Sequence, residues 1–311
     1  MTVVEIVGLH KEYKRFRHEP TLAVDGLDLT VGEPGQVVGF LGPNGSGKPS
    51  TIRCLLGLIR PTAGTVRLLG HDMPHGAAAA LDRVGALVEN PKFFEEFTGQ
   101  RNLRLLGRIR GIKTQAIEDI LAQVGLADAA DMKVRKYSLG MKQRLGVAAT
   151  LLKDPELLVL DEPANGLDPA GIVEMRRMLR DLADGGKTVF VSSHQLGEIE
   201  QVCDDLVIID HGKVVASGSV GQIVDASAME TSVITIDDPT AAIEALVAAG
   251  YEAQAKAKNQ VVVEPAPENP ADLTKILADA GLYLRGLRSE GRSLEEVFLS
   301  LTEGRSGDVP S

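Results

Sequence analysis

Cysteine is scarce in this chain: Cys54 and Cys203 are the only two in 311 residues. That excludes a disulfide-stapled scaffold and points to a reduced, cytoplasmic setting. Positive charge is not in surplus. The formal net charge is −10, which argues against binding nucleic acid by neutralising its phosphates. No run approaches the roughly 20 apolar residues of a membrane helix, so a membrane part would have to come from another chain. The start, MTVVEIVGLHKEYKRF, has no apolar stretch behind basic residues and does not read as a signal peptide. What is present, 44% hydrophobic and 24% charged residues, is ordinary for a globular chain with a sizeable core and two domains.

The pattern along the chain is mixed. TVVEIVGL and AVDGLDLTV alternate as half-buried antiparallel strands do. QVVGFLG (36–42) is a buried strand that runs into glycines, STIRCLLGLI (50–59) a helix, and GTVRLLG a further strand. From about Asn90 to Asp154 apolar residues recur at helical spacing, which predicts a helical subdomain. ELLVLDEP and KTVFVSSH then flank the helix PAGIVEMRRMLRDLADGG, the alternation of a parallel sheet with helical crossovers. DLVIIDHGKVVASG reads as a closing hairpin. We place the first domain at 1–224. Residues 225–303 read βαββαβ with a final helix SLEEVFLSLTEG, a small α+β ferredoxin-like domain, and 304–311 as a disordered tail.

Three segments carry chemistry. GPNGSGKPST (42–51) lies between a strand and a helix. Its glycines let backbone amides converge on an anion, the helix start adds positive potential, and Lys48 reaches the β- and γ-phosphates. LLVLDEP ends an apolar strand in Asp161 and Glu162, where ligands of open α/β sheets bind. Asp161 suits Mg²⁺, and Glu162 suits orienting or polarising the attacking water. YSLGMKQRL (137–145) places Ser138 at a helix N-cap and Gly140 beside it, a second anion-binding helix start.

Together these segments resemble the nucleotide-binding subunit of an ABC transporter, and YSLGMKQRL is similar to the signature motif of its bacterial drug- and antibiotic-exporter branch. The likeness covers about residues 3–220. It implies a P-loop NTPase cassette of antiparallel β subdomain, parallel core sheet and helical subdomain. It implies ATP and Mg²⁺ as ligands, with Gly42, Pro43, Asn44, Gly45, Ser46, Gly47, Lys48, Pro49, Ser50 and Thr51 around the phosphates. Tyr13 matches the residue that stacks on adenine, and His194 of VSSH the histidine that contacts the γ-phosphate. Ser138 and Gly140 face the phosphate loop of a second cassette, identical or not, and Asp168 of NGLDP lies in the loop that crosses the dimer interface. A separate membrane permease is implied as partner. Phe93, Phe94 and Phe97 in VENPKFFEEFTG suit its docking surface, local core packing being the plainer alternative. The setting implied is the inner face of the cell membrane. The cargo implied is a drug, antibiotic or lipid-like molecule; a regulatory ATP-binding module without transport is the alternative.

Two positions depart from the family. Glu89 stands where glutamine is usual, a trait similar to the antibiotic-exporter branch. Pro49 replaces the serine whose hydroxyl ligates Mg²⁺, and it also lacks a backbone N–H. Proline is tolerated in a first helical turn, so the loop itself survives. Three readings are open: Glu89, Asp161 and water hold Mg²⁺ instead; a partner cassette carries turnover; or the proline is an error for serine. We expect a weakened but working ATPase, because Glu162, His194 and the signature are all present.

Overall fold

The computed structural model describes residues 2–14, 19–89, 91–194, 197, 200–226, 231–267, 269–290, 294 and 298. The helix expected over SLEEVFLSLTEG and the tail 304–311 lie outside the described residues, apart from Leu294 and Phe298. The chain divides into two compact units, 1–220 and 221–311.

The first unit holds two sheets. Strands β1 (Val4–Tyr13), β2 (Thr21–Val31), β4 (Ala63–Leu68) and β5 (His71–Asp72) form an antiparallel sheet in the order β2-β1-β4-β5. The second sheet contains β3 (Val37–Leu41), β6 (Val84–Leu87), β7 (Leu157–Asp161), β8 (Thr188–Ser193), β9 (Asp205–Asp210) and β10 (Lys213–Ser219), in the order β10-β9-β3-β8-β7-β6. Five of its strands are parallel, and β10 closes the edge as an antiparallel hairpin with β9. β3 and β8 are buried at every position. That is why they read as unbroken apolar runs rather than alternating ones.

One core joins the two sheets. Val4, Ile6 and Leu9 of β1 pack with Phe40, Phe190 and Val159 of the parallel sheet. Ile52 and Leu55 of helix α1 (Lys48–Leu55) belong to the same core. α1 is shorter than expected, because Gly57 turns into the left-handed region at φ +67° and ends it. The sequence patterns missed β6 and the preceding helix α2 (Ala77–Asp82). β6 is four residues long with a glycine inside, too short for a periodicity. A Cβ at Gly85 would meet Thr150 and Leu158 atoms at 2.9 Å, so the glycine is there for close packing.

The helical region holds α3 (Gly99–Gly107), α4 (Thr114–Gln123) and α5 (Leu139–Leu151). The crossover between β7 and β8 is α6 (Pro169–Asp184), which buries Met175, Met178, Leu179 and Leu182. The second unit follows α7 (Val220–Ala226). It orders β11 (Thr231–Ile236), α8 (Pro239–Ala248), β12 (Ala253–Ala257), β13 (Gln260–Val263), α9 (Ala271–Asp279) and β14 (Leu284–Glu290). Its sheet is antiparallel, in the order β12-β13-β11-β14. Ile234, Ile236 and Val263 pack against Leu246, Leu273 and Leu277 of the two helices. No helix among the described residues is long and apolar enough to cross a membrane.

Candidate functional site

Parallel neighbours β3, β8 and β7 end side by side. Leu41 lies opposite Ser193, and Ser192 opposite Asp161. The chain continuing from each strand therefore meets the others at one sheet edge, the usual ligand position of such sheets. The glycine loop follows β3, Asp161 and Glu162 end β7, and His194 ends β8.

The loop's shape demands its glycines. Gly47 sits at φ +103°, and a Cβ there would lie 2.3 Å from the Ala23 carbonyl oxygen. A Cβ at Gly42 would lie 2.4 Å from Ile209 O. The Gly212 amide donates to Ser46 O at 2.9 Å, so the β9–β10 turn clamps the loop from below. Ser46 Oγ is buried with no hydrogen-bond partner. An orphan hydroxyl in a loop of converging amides fits a ligand rich in acceptor oxygens.

Lys48 is 4% exposed. Its Nζ donates to Gly42 O at 2.5 Å and Pro43 O at 3.2 Å, and lies 3.9 Å from Glu162 Oε1. Burial lowers its pKa, against the attraction of Glu162 and Asp161. Glu162 Oε2 accepts from His194 Nδ1 at 2.6 Å. Lys48, Glu162 and His194 thus form one connected chain. Glu162 is a non-glycine residue at φ +51°. Its amide donates to Ser192 Oγ at 3.0 Å and faces Ser192 O at 3.2 Å. The Ser192 hydroxyl donates in turn to Asp161 Oδ1 at 2.5 Å. Burial holds the Asp161 carboxyl above its ordinary range; Ser192 and Lys48 pull it back, and the Glu162 charge pushes it further up.

The remaining expected site residues are placed unevenly. Pro49 is exposed in the first turn of α1, and Asn44 and Gly45 are exposed in the loop. Thr51 Oγ1 is turned back onto Gly47 O at 3.1 Å, and Ser50 Oγ pairs with Tyr13 OH at 3.2 Å. Lys11 Nζ lies 5.0 Å from the centre of the Tyr13 ring. Ser138 caps α5 by accepting from Met141 N at 3.2 Å, and Asp168 caps α6 by accepting from Gly171 N at 3.0 Å. The two segments touch within the chain: a Cβ on Gly140 would lie 3.7 Å from Leu167, and one on Gly166 3.2 Å from Leu139. Glu89 follows β6, the strand that pairs with β7. Its side chain is 82% exposed and pairs with Arg53 Nη2 at 3.6 Å. Among the described residues no group of three or more His, Cys, Asp or Glu is arranged to hold a metal ion.

Sequence reasoning missed Ser192 and Arg53. Ser192 had a weak signal, a hydroxyl next to the apolar run Val189–Val191 of β8. Arg53 had none, since its charge acts on Asp161 only through the fold.

A groove of about 600 Å³ lies beside the site, lined by Leu58, Leu81, Leu87, Phe93 and Leu106, with Arg53 and Glu89 among its polar residues. Phe94 is 60% exposed and stacks at 5.2 Å on Phe97, whose ring is covered by the Arg101 guanidinium at 3.9 Å. None of these three aromatics lies in the buried core.

A family model described as ABC transporter matches residues 24–165. The chain is 35% identical over 309 residues to the daunorubicin/doxorubicin resistance ATP-binding protein DrrA of Streptomyces peucetius, spanning 96% of this chain and 92% of the relative. It is 46% identical over 215 residues to the bacitracin transport ATP-binding protein BcrA of Bacillus licheniformis, 68% of each chain. A solved ATP-binding subunit of an ABC transporter superposes with a TM-score of 0.61 at 27% identity, covering 72% of this chain and 92% of that one.

Proposed function

The chain belongs to the ABC transporter ATP-binding family, and from that premise we propose that it is the ATP-hydrolysing subunit of an exporter whose membrane path is a separate chain. The observation that carries this reading is the Lys48–Glu162–His194 chain at the edge where β3, β7 and β8 end. The loop amides and Lys48 bind the phosphates of ATP. Glu162 accepts the proton of the attacking water, and His194, bonded through Nδ1, donates from Nε2 to the γ-phosphate when both ring nitrogens carry a proton. Water adds to the γ-phosphorus, the β–γ bridging bond breaks, and ADP and phosphate leave.

Asp161, a hard oxygen donor of the kind Mg²⁺ favours, would hold that ion, and the ion would supply positive charge against the phosphates. Glu89, paired with Arg53 here, would be a second carboxylate donor. Pro49 has no hydroxyl to offer, and both neighbouring hydroxyls are engaged, so Mg²⁺ binding and turnover are weakened rather than abolished.

Two cassettes, alike or different, pair so that Ser138 and Gly140 of one close on the ATP of the other, with Asp168 at the crossing. The exposed Leu139 suits that contact. The groove with Phe93, beside Phe94 and Phe97, receives the membrane subunit, and Arg53 links it to Asp161. The chain works at the inner face of the membrane. The names of its relatives favour an antibiotic or other drug as cargo. The second unit is ferredoxin-like, supported by its βαββαβ order and its sheet order.

The test is Mg²⁺-dependent phosphate release by the chain and by Pro49→Ser. Serine restores a ligand worth about 1.5–3 kcal/mol, so release quickens about tenfold and saturates at lower Mg²⁺. Equal rates at every Mg²⁺ concentration would remove the ligand-loss argument. No phosphate release by either protein, at any Mg²⁺ and with the membrane partner present, would favour a regulatory module.

A further inference from the structure

We infer that Ser192 is a positioning residue for both acidic groups of the site; this rests on the ATP reading above. Ser192 is fully buried, 0% exposed, on the central strand β8. Its strand neighbours at the same level are Asp161 on one side and Phe40 on the other. A hydroxyl buried at this position needs partners, since burial removes water as an alternative. It has two, and both lie at the end of β7. The proton goes to Asp161 Oδ1, and a lone pair receives the Glu162 amide.

The consequences differ for the two residues. The Asp161 carboxylate is pinned through one oxygen, which leaves Oδ2 free of that bond and fixes where it points. Glu162 has a left-handed backbone at φ +51°, a conformation a side-chain-bearing residue keeps only when its surroundings enforce it. The bond from its amide to Ser192 Oγ is one such enforcement, and the adjacent Ser192 carbonyl is another. This conformation turns the Glu162 side chain toward Lys48 and His194. One hydroxyl therefore sets the metal-binding carboxylate and the water-polarising carboxylate relative to each other. The demand on it is greater here than in a loop carrying serine at position 49, because Asp161 holds Mg²⁺ without a hydroxyl ligand beside it.

The experiment titrates Mg²⁺ into the full chain with a fluorescent ATP analogue and reads bound analogue, with phosphate release measured in parallel. For Ser192→Ala we expect the half-saturating Mg²⁺ to rise about tenfold, the low end of a hydrogen bond to a charged group. Analogue affinity without Mg²⁺ stays the same, and Ser192→Thr returns the parent value. Melting curves of the nucleotide-free proteins separate this from unfolding. Should the extra methyl of threonine unfold that variant, Ser192→Cys, a weaker donor, must fall between alanine and serine. An unchanged Mg²⁺ midpoint in a folded Ser192→Ala protein overturns the inference while leaving ATP binding intact. Equal weakening with and without Mg²⁺ also overturns it, since that marks a structural role only. A parent chain that binds no analogue overturns both the inference and the reading beneath it.

Discussion

At the start of α1, Gly47 offers no side-chain cap and Pro49 no backbone N–H, whereas at the start of α5 the Ser138 hydroxyl accepts from Met141 N. Under the proposed function both turns meet an anion, yet they treat their unpaired amides in opposite ways. α5 satisfies one of its own, so its end is stable as it stands. α1 leaves its end uncapped, and around it the chain accumulates unfavourable features: a desolvated Lys48, a half-buried Asp161 with a raised pKa, an orphan Ser46 hydroxyl and a left-handed Glu162. The difference teaches where a bound nucleotide would stabilise the fold on the proposed reading: at α1 and the end of β7, where groups are held ready at a cost, and not at α5.

Substitutions on the two sides should separate accordingly. Glu162→Gln has the largest expected effect. Phosphate release falls roughly a hundredfold or more while binding of a fluorescent ATP analogue persists; retained turnover would remove Glu162 from the chemistry. Gly47→Ala comes next. It forces a side chain into a left-handed position and against Ala23 O, so it destabilises the first unit by at least about 2 kcal/mol, read as a lower urea midpoint. Ser138→Ala removes a cap worth about 1 kcal/mol and lowers the melting temperature of the nucleotide-free chain by about 2–4 °C. No shift there would mean that α5 does not depend on its cap, and the contrast with α1 fails.

The smallest change is the most diagnostic. Burial raises the Asp161 pKa, so the folded chain binds a proton more readily than the unfolded one. At neutral pH the ionised carboxylate therefore lowers stability. That penalty disappears below the ordinary carboxylate range, where both states are protonated. Asp161→Asn should then melt higher than the parent at pH 7 and equally at strongly acid pH, while losing Mg²⁺-dependent analogue binding. A lower melting point at pH 7 would reverse the assignment of Asp161 as a group held at a cost.

Much of this was readable from residues alone. The continuous apolar runs before Gly42 and Asp161 announced buried parallel strands, and helical spacing announced α3, α4 and α5. The β6 strand was not readable, because four residues with a glycine carry no period and only the neighbouring β7 makes them a strand. The phosphate loop was legible through its glycines, whose need for φ > 0 and close approach is local. The link from Lys48 through Glu162 to His194 was not, since 113 residues lie between Lys48 and Glu162 and only the parallel register of β3, β8 and β7 closes that gap. The pairing of Glu89 with Arg53 was not legible either, because only the fold brings the end of β6 against α1.

By itself, then, the sequence determined the parts: which loop turns on glycines between a strand and a helix, which strand end is acidic, which serine caps a helix. Each of these depends on neighbours within a few positions, where backbone conformation and hydrogen bonding are settled locally. Tertiary structure alone decided how the parts address one another. It placed Ser192 level with Asp161 and under the Glu162 amide, and brought Glu162 to Lys48 and His194. Those are distances between strands, and strand register is set by the packing of the whole sheet.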